Sequence, residues 1–159
     1  MTGIAAGAGI VVPVLALLLA RPPAAVAKGD IEMGNRDKEA IKQVIEKAYI
    51  RGIHGNQDEE TAKSGFHQDF AMLVLQDDAL EKVTVDEWLA RLEVMKAQNP
   101  DLWEAETRHT FELVDVAGYA AVAKLEVYKG NTHFSTDYML LYRFEEGWRI
   151  VSKVFAIPA

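Results

Sequence analysis

The chain of 159 residues contains no cysteine. That absence excludes a disulfide framework, a thiolate nucleophile, a lipid-modified cysteine and any cysteine-based metal site. Stability must come from the core alone. Positive charge is also short, with 17 Lys and Arg against 24 Asp and Glu and a net charge of -7 at pH 7. No Lys or Arg cluster offsets this balance, so the surface repels phosphate backbones and nucleic acid is not an expected partner. Also missing are a Gly-x-Ser-x-Gly elbow, a phosphate-cradling glycine loop, a dinucleotide fingerprint and any internal repeat. The four histidines, at 54, 67, 109 and 133, form no close pair at ligand spacing. His133 and Asp137 share a strand face but lie roughly 13 Å apart, too far to hold one ion. Neither a metal nor a cofactor is expected.

What is present begins with an apolar N-terminal run. Ile4 to Ala20 carries no charge and is dense in Ala, Val and Leu, and Ala25-Val26-Ala27 has the small-x-small pattern read by a signal peptidase. Residues 1–27 are therefore expected to be a signal peptide cleaved after Ala27, although residues 1–9 lack the basic residues such signals carry. An uncleaved membrane anchor is the other reading, at the short limit for a span. Both place the folded part outside the cytoplasm, periplasmic or secreted from a bacterial cell envelope. Membrane contact is expected only if the segment is retained. Arg21 is the one charge in the segment, so its removal leaves 16 basic against 24 acidic residues.

Residues 28–36 read as a polar linker and 37–159 as one domain. Ile41, Val44, Ile45, Ala48 and Tyr49 recur at three- and four-residue steps, which predicts a helix capped by Asn35 or Asp37 and ended by Gly52 or Gly55. A short helix is expected from Asp58 to Gly65, then a buried strand from Phe70 to Leu75 and a turn at 76–78. Thr84 and Glu87 fit a capping box, opening a helix with Trp88, Leu89, Leu92 and Met95 on its apolar face and Asn99-Pro100 at its end. Four strands follow: Thr107 to Val116, Tyr119 to Tyr128, Thr132 to Phe144 and Trp148 to Ile157. Their short connections force antiparallel neighbours. Helices first and strands afterwards predict an α+β domain, with about three helices packed on a curved, mostly antiparallel sheet.

Three segments, in this order and spacing, resemble the nuclear transport factor 2-like superfamily. They are Tyr49-Ile50 with the Gly55-Asn56-Gln57-Asp58 loop, the run Gly65 to Phe70, and Asp137-Tyr138 ahead of Gly147 to Phe155. The nearest branch is that of small exported proteins called putative lumazine-binding, beside the polyketide-cyclase and ketosteroid-isomerase-like branches. The resemblance implies a cone-shaped fold over roughly Asp37 to Phe155, with a cavity open at one end. Enzymes, binders and assembly domains share this scaffold.

On the strand from Tyr119, one face presents Tyr119, Ala121, Ala123, Leu125 and Val127 and the other Lys124 and Glu126, so the first set is expected inside. Ala121 and Ala123 leave volume for a ligand unless Trp88 or Trp103 fills it. The resemblance to ketosteroid isomerases maps the oxyanion-binding phenol onto Tyr49 and the later acid near Asp137, and it puts the carboxylate base at Val74, which cannot serve. Asp137 shares its face with Met139 and Leu141, an expensive place for an acid unless something pairs or uses it. It is a candidate both for ligand binding and for catalysis. His67 is the other catalytic candidate, against a structural role in fixing its turn, and Asp69 reads as a turn cap. Tyr49 and Trp88 are further ligand-binding candidates. His54 is expected as an imidazolium complementing a helix C-terminus. Lys153, counted by alternation, faces away from Trp148 and Ile150 and reads as solvated or interfacial.

Three functions remain open on these residues. The first is an exported protein holding a small apolar or aromatic ligand; the second is a cofactor-independent lyase, isomerase or cyclase using Asp137 or His67. The third is a homodimeric interaction module, cued by Val151 and Phe155 alternating with Arg149 and Lys153 on the last strand's outer face. A homodimer is compatible with either of the others.

Overall fold

The structure, a computed structural model, describes residues 28–55 and 58–158, with side chains from residue 34 onward. The expected export segment, 1–27, lies outside the described residues. Helix α1 (Lys28–Val44) runs directly into a π-helical segment (Ile45–His54). Residues 28–36, expected as a linker, are thus the first turns of a helix. Gly29 and Gly34 each cost about 1 kcal/mol there, but a packed helix propagates outward at one hydrogen bond per added residue. Asp37 does not cap it. Its carboxylate instead accepts from Trp148 Nε1 at 3.1 Å and pairs with Arg143 at 3.2 Å, tying α1 to the last hairpin.

Ile41, Ile45, Ala48 and Tyr49 are buried as their spacing predicts. The wider π winding repeats near every five residues, which brings Tyr49 and His54 onto one line with ring centroids 4.7 Å apart. Helix α2 (Glu59–Lys63), capped by Asp58, packs so closely on this segment that a Cβ on Gly52 would stand 2.5 Å from the Ala62 Cα.

Strand β1 (Phe66–Gln76) turns through Asp77 and Asp78, both with positive φ, into β2 (Ala79–Val83), a strand that alternation did not reveal. The capping box at Thr84 and Glu87 then opens α3 (Val85–Gln98), with both reciprocal hydrogen bonds formed. Pro100 starts a further short helix, α4 (Pro100–Glu104), at the position where its missing N–H costs nothing. Strands β3 (Thr107–Ala117), β4 (Ala120–Lys129), β5 (Thr132–Phe144) and β6 (Gly147–Ala156) complete one sheet in the order β2-β1-β6-β5-β4-β3, in which only β1 and β6 are parallel. The α+β class and the mostly antiparallel sheet stand as expected.

Inner faces of β4 and β5 hold Ala121, Ala123, Leu125, Val127, Met139 and Leu141 against the helices. Tyr119 departs from the expected inner set. It belongs to the turn at Gly118, one residue before β4 begins, and is 69 % exposed. Strand β6 contains a further irregularity: Leu140 pairs with Ser152 and Leu141 with Ile150, so Val151 is an extra residue in the ladder. This bulge reverses the alternation beyond it. Ile150 and Lys153 are both buried, three residues apart, where an unbroken strand would put them on opposite faces.

Candidate functional site

Asp137 is fully buried on the inner face of β5. Burying a carboxylate is costly unless its oxygens are paired, and three groups meet this one. Tyr49, on the π segment, donates its hydroxyl to Oδ2 at 2.6 Å, and Ser135, two residues along β5, donates to the same oxygen at 3.3 Å. Lys153 Nζ stands 2.9 Å from Oδ1, outside hydrogen-bond alignment, so this contact is an ion pair. Lys153 was expected in solvent. The Val151 bulge turns it inward, where the side chain is 4 % exposed.

Aromatic rings surround the ammonium. Nζ lies 4.4 Å from the ring centre of Phe155 and 5.2 Å from those of Tyr49 and Trp88, within cation–π range. Burial pulls the Lys153 ammonium below the ordinary lysine value, and Asp137 opposes that pull. Burial first, and the Asp137 charge second, hold the Tyr49 phenol well above the ordinary tyrosine value. Tyr49 is therefore a neutral donor to the carboxylate.

This cluster forms one wall of a cavity of about 230 Å³. Trp88 and Leu92 of α3, Met72 and Val74 of β1, Ile53 and His54 of the π segment, Trp103, Phe134 and Phe155 supply the other walls, with Met95, Arg91 and Ile157 at the side of α3 and the chain end. Apart from the ion pair and Ser135, the lining is almost wholly apolar. Arg91 is engaged by Glu81 at 2.7 Å.

Tyr49, Asp137 and Trp88 thus converge as the sequence suggests. Tyr49 and Trp88 line the cavity, and Asp137 stands behind its wall, fixed by Tyr49, Ser135 and Lys153. Ala121 and Ala123 are buried but do not line it: they are packed in the core of β4. Val74 does, so the place where a ketosteroid isomerase would carry its base presents an isopropyl group. His67 lies outside the lining. Its ring stacks on Phe144 at 4.7 Å and its Nδ1 accepts the Asp69 N–H at 3.2 Å, which is the turn-fixing role. Phe155, expected on an outer face as a dimer cue, is inside for the same reason as Lys153. Among the described residues, no three His, Asp or Glu side chains stand together as metal ligands.

His54 also differs from expectation. It is 3 % exposed, stacks on Trp103 at 5.8 Å and meets Phe134 edge to face. Burial, then the charges of Lys129 and Lys153, push its imidazole well below the ordinary histidine value, so it is neutral. The service expected of it at the helix end falls to Lys129, whose Nζ donates to the His54 carbonyl and to Thr107 Oγ1, each at 2.8 Å. Sequence offered only half a signal for Lys153: a buried acid at 137 demands a cation, but counting from the turn without the bulge sets Ser152, not Lys153, across from Met139. For His54 no comparable signal existed.

The shape is shared with solved structures. A nuclear transport factor 2-like protein of unknown function from Silicibacter pomeroyi is 21 % identical, with a TM-score of 0.61 over 78 % of this chain and 98 % of that one. Another from Shewanella baltica is 19 % identical, with a TM-score of 0.60 over 79 % and 96 %. A third, from Novosphingobium aromaticivorans and described as having a cystatin-like fold, is 19 % identical, with a TM-score of 0.57 over 84 % and 92 %. At these identities the likeness shows the fold alone. No curated protein matches the chain. The model of the family described as "Putative lumazine-binding" matches residues 36–156, from within α1 to the end of β6, and the chain therefore belongs to that family.

Proposed function

We propose that the protein binds a small, flat, largely apolar ligand in the cavity between α3 and the sheet, with Lys153 and its Asp137 partner as the polar anchor. One observation carries this reading: an apolar, aromatic-walled cavity with a single buried ion pair at its wall, the usual composition of a small-molecule site. Its volume of about 230 Å³ favours a ligand of one or two rings, since a dry cavity of about 150 Å³ takes up benzene. The family description names lumazine, a flat two-ring heteroaromatic, which agrees with this reading in size and shape. Val74 in the wall supports binding over isomerase-type proton abstraction, because no base stands there.

Native mass spectrometry of the protein from its natural source, compared with its denatured mass, tests the proposal. Extra mass released on denaturation supports it. Protein that carries none and leaves its tryptophan fluorescence unchanged across a panel of one- and two-ring aromatics would refute it.

We further propose that residues 1–27 direct export to the cell envelope, on the sequence grounds given above. An intact mass beginning at Lys28 in the envelope fraction is the expected result. Homodimerisation is proposed on the outer sheet face, as expected, but through other residues: Tyr138, Leu140, Tyr142 and Val154 are exposed side by side on β5 and β6. Sedimentation equilibrium should give twice the chain mass, and Tyr142→Lys should reduce it to one.

A further inference from the structure

Two lysines are buried among the described residues, and only Lys153 lines the cavity. A lysine is a poor choice for packing alone, because its charge is expensive to desolvate and an ion pair seldom repays the full cost. Placed at the wall of an apolar cavity beside a carboxylate, its amine is positioned for nucleophilic chemistry. We propose that Lys153 forms a reversible covalent adduct, a protonated imine, with an aromatic aldehyde or similarly unhindered carbonyl compound seated in the cavity, with Asp137 as proton carrier and counter-ion. The inference rests on the ligand-binding reading and names the chemical class of the ligand.

The atoms balance without an oxidant or reductant. The Lys153 ammonium passes one proton to Asp137, 2.9 Å away, and the freed lone pair adds to the carbonyl carbon as the C=O π pair moves to oxygen. The added nitrogen gives a proton to that oxygen, forming a carbinolamine. Asp137 then protonates the hydroxyl, a C–O bond breaks, water leaves and the nitrogen lone pair closes the C=N bond. One positive charge sits on nitrogen before and after, beside the same carboxylate and the same three rings. The surroundings that hold the ammonium therefore hold the imine equally well. Tyr49 and Ser135 are positioning residues: by donating to Oδ2 they leave Oδ1 to face Nζ. Burial favours the neutral amine and Asp137 the ammonium. Apolar walls exclude the water that would hydrolyse the product.

The test uses benzaldehyde as probe on the full wild-type chain, with cyanoborohydride to reduce any imine and peptide mapping to locate the benzyl group. Benzyl alcohol, which lacks the carbonyl, serves as competitor, and its own binding is followed by saturation-transfer NMR. Labelling at Lys153 is expected to run about tenfold or more faster than at the exposed Lys47 and Lys82, and only Lys153 should be protected by the competitor. Lys153→Arg keeps the cation but removes the amine nucleophile, and is expected to lose the fast label. Benzyl alcohol binding with Lys153 unlabelled, or labelled no faster than the surface lysines, overturns the imine and leaves the ligand-binding reading intact. Neither binding nor labelling overturns both.

Discussion

Lys153 and Lys129 are both almost fully buried, 4 % and 2 % exposed, yet they are held in opposite ways. Lys153, at the cavity wall, faces a carboxylate behind that wall and is ringed by aromatic faces. Among the described residues Lys129 pairs with no carboxylate: it donates to the His54 carbonyl and to the Thr107 hydroxyl, with Trp103 4.7 Å from Nζ. Its charge closes the end of the π segment against β3. Burial without an opposing carboxylate, with Lys96 adding repulsion, lowers its ammonium to about 8. A buried cation is therefore not in itself the mark of a site. What distinguishes Lys153 is a carboxylate partner at the edge of empty volume.

The contrast can be broken most forcefully at Asp137. Asp137→Ala leaves a buried ammonium without its counter-charge and is expected to cost about 3–5 kcal/mol in urea unfolding at pH 7. Asp137→Leu combined with Lys153→Met should recover most of that loss, since the apolar pair needs no partner. If the single variant unfolds at the wild-type urea midpoint, the ion pair has no role in stability. Next in size is Tyr49→Phe, which removes the 2.6 Å donor to a buried charge and should cost about 2 kcal/mol by the same assay.

Last, and particular to the other lysine, is a pH effect. In the native chain Lys129 releases its proton near pH 8, whereas the unfolded chain holds it to about 10.5. Between these values the unfolded state binds more protons, so stability rises as pH increases from about 8 to 10.5. Lys129→Met should flatten this rise relative to wild type while the Lys153 contribution remains. Identical slopes in the two proteins would show that Lys129 titrates as an exposed lysine.

Much of the fold was legible because its signals are local. Thr84 and Glu87 lie three residues apart, the β3 to β6 hairpins have short turns, and the Ile41 to Tyr49 stripe repeats at helical spacing. Asp137 and Tyr49 were legible as well, the first because an acid between Thr136 and apolar Met139 and Leu141 is conspicuous. Lys153 and Phe155 were not. Their side of the sheet depends on counting in twos along β6, and Val151 shifts the count by one without any glycine to mark it. His54 was misread because its helix end lies inside the packed layer instead of at the surface, a matter decided by residues 49 to 80 positions away. The helix at 28–36 and strand β2 escaped for a simpler reason: neither shows a periodic apolar pattern.

The extra residue in β6 also bears on how such a pocket changes over generations. Inserting a single codon after Ser152 would carry Lys153 and Phe155 one step along the ladder, swinging both to the outside and setting Val154 opposite Asp137 in their place. The interior would lose its ammonium and one of its aromatic rings in a single heritable step, with no substitution at any wall position. Within this architecture, the length of one strand is as strong a determinant of interior chemistry as the identity of the residues on it.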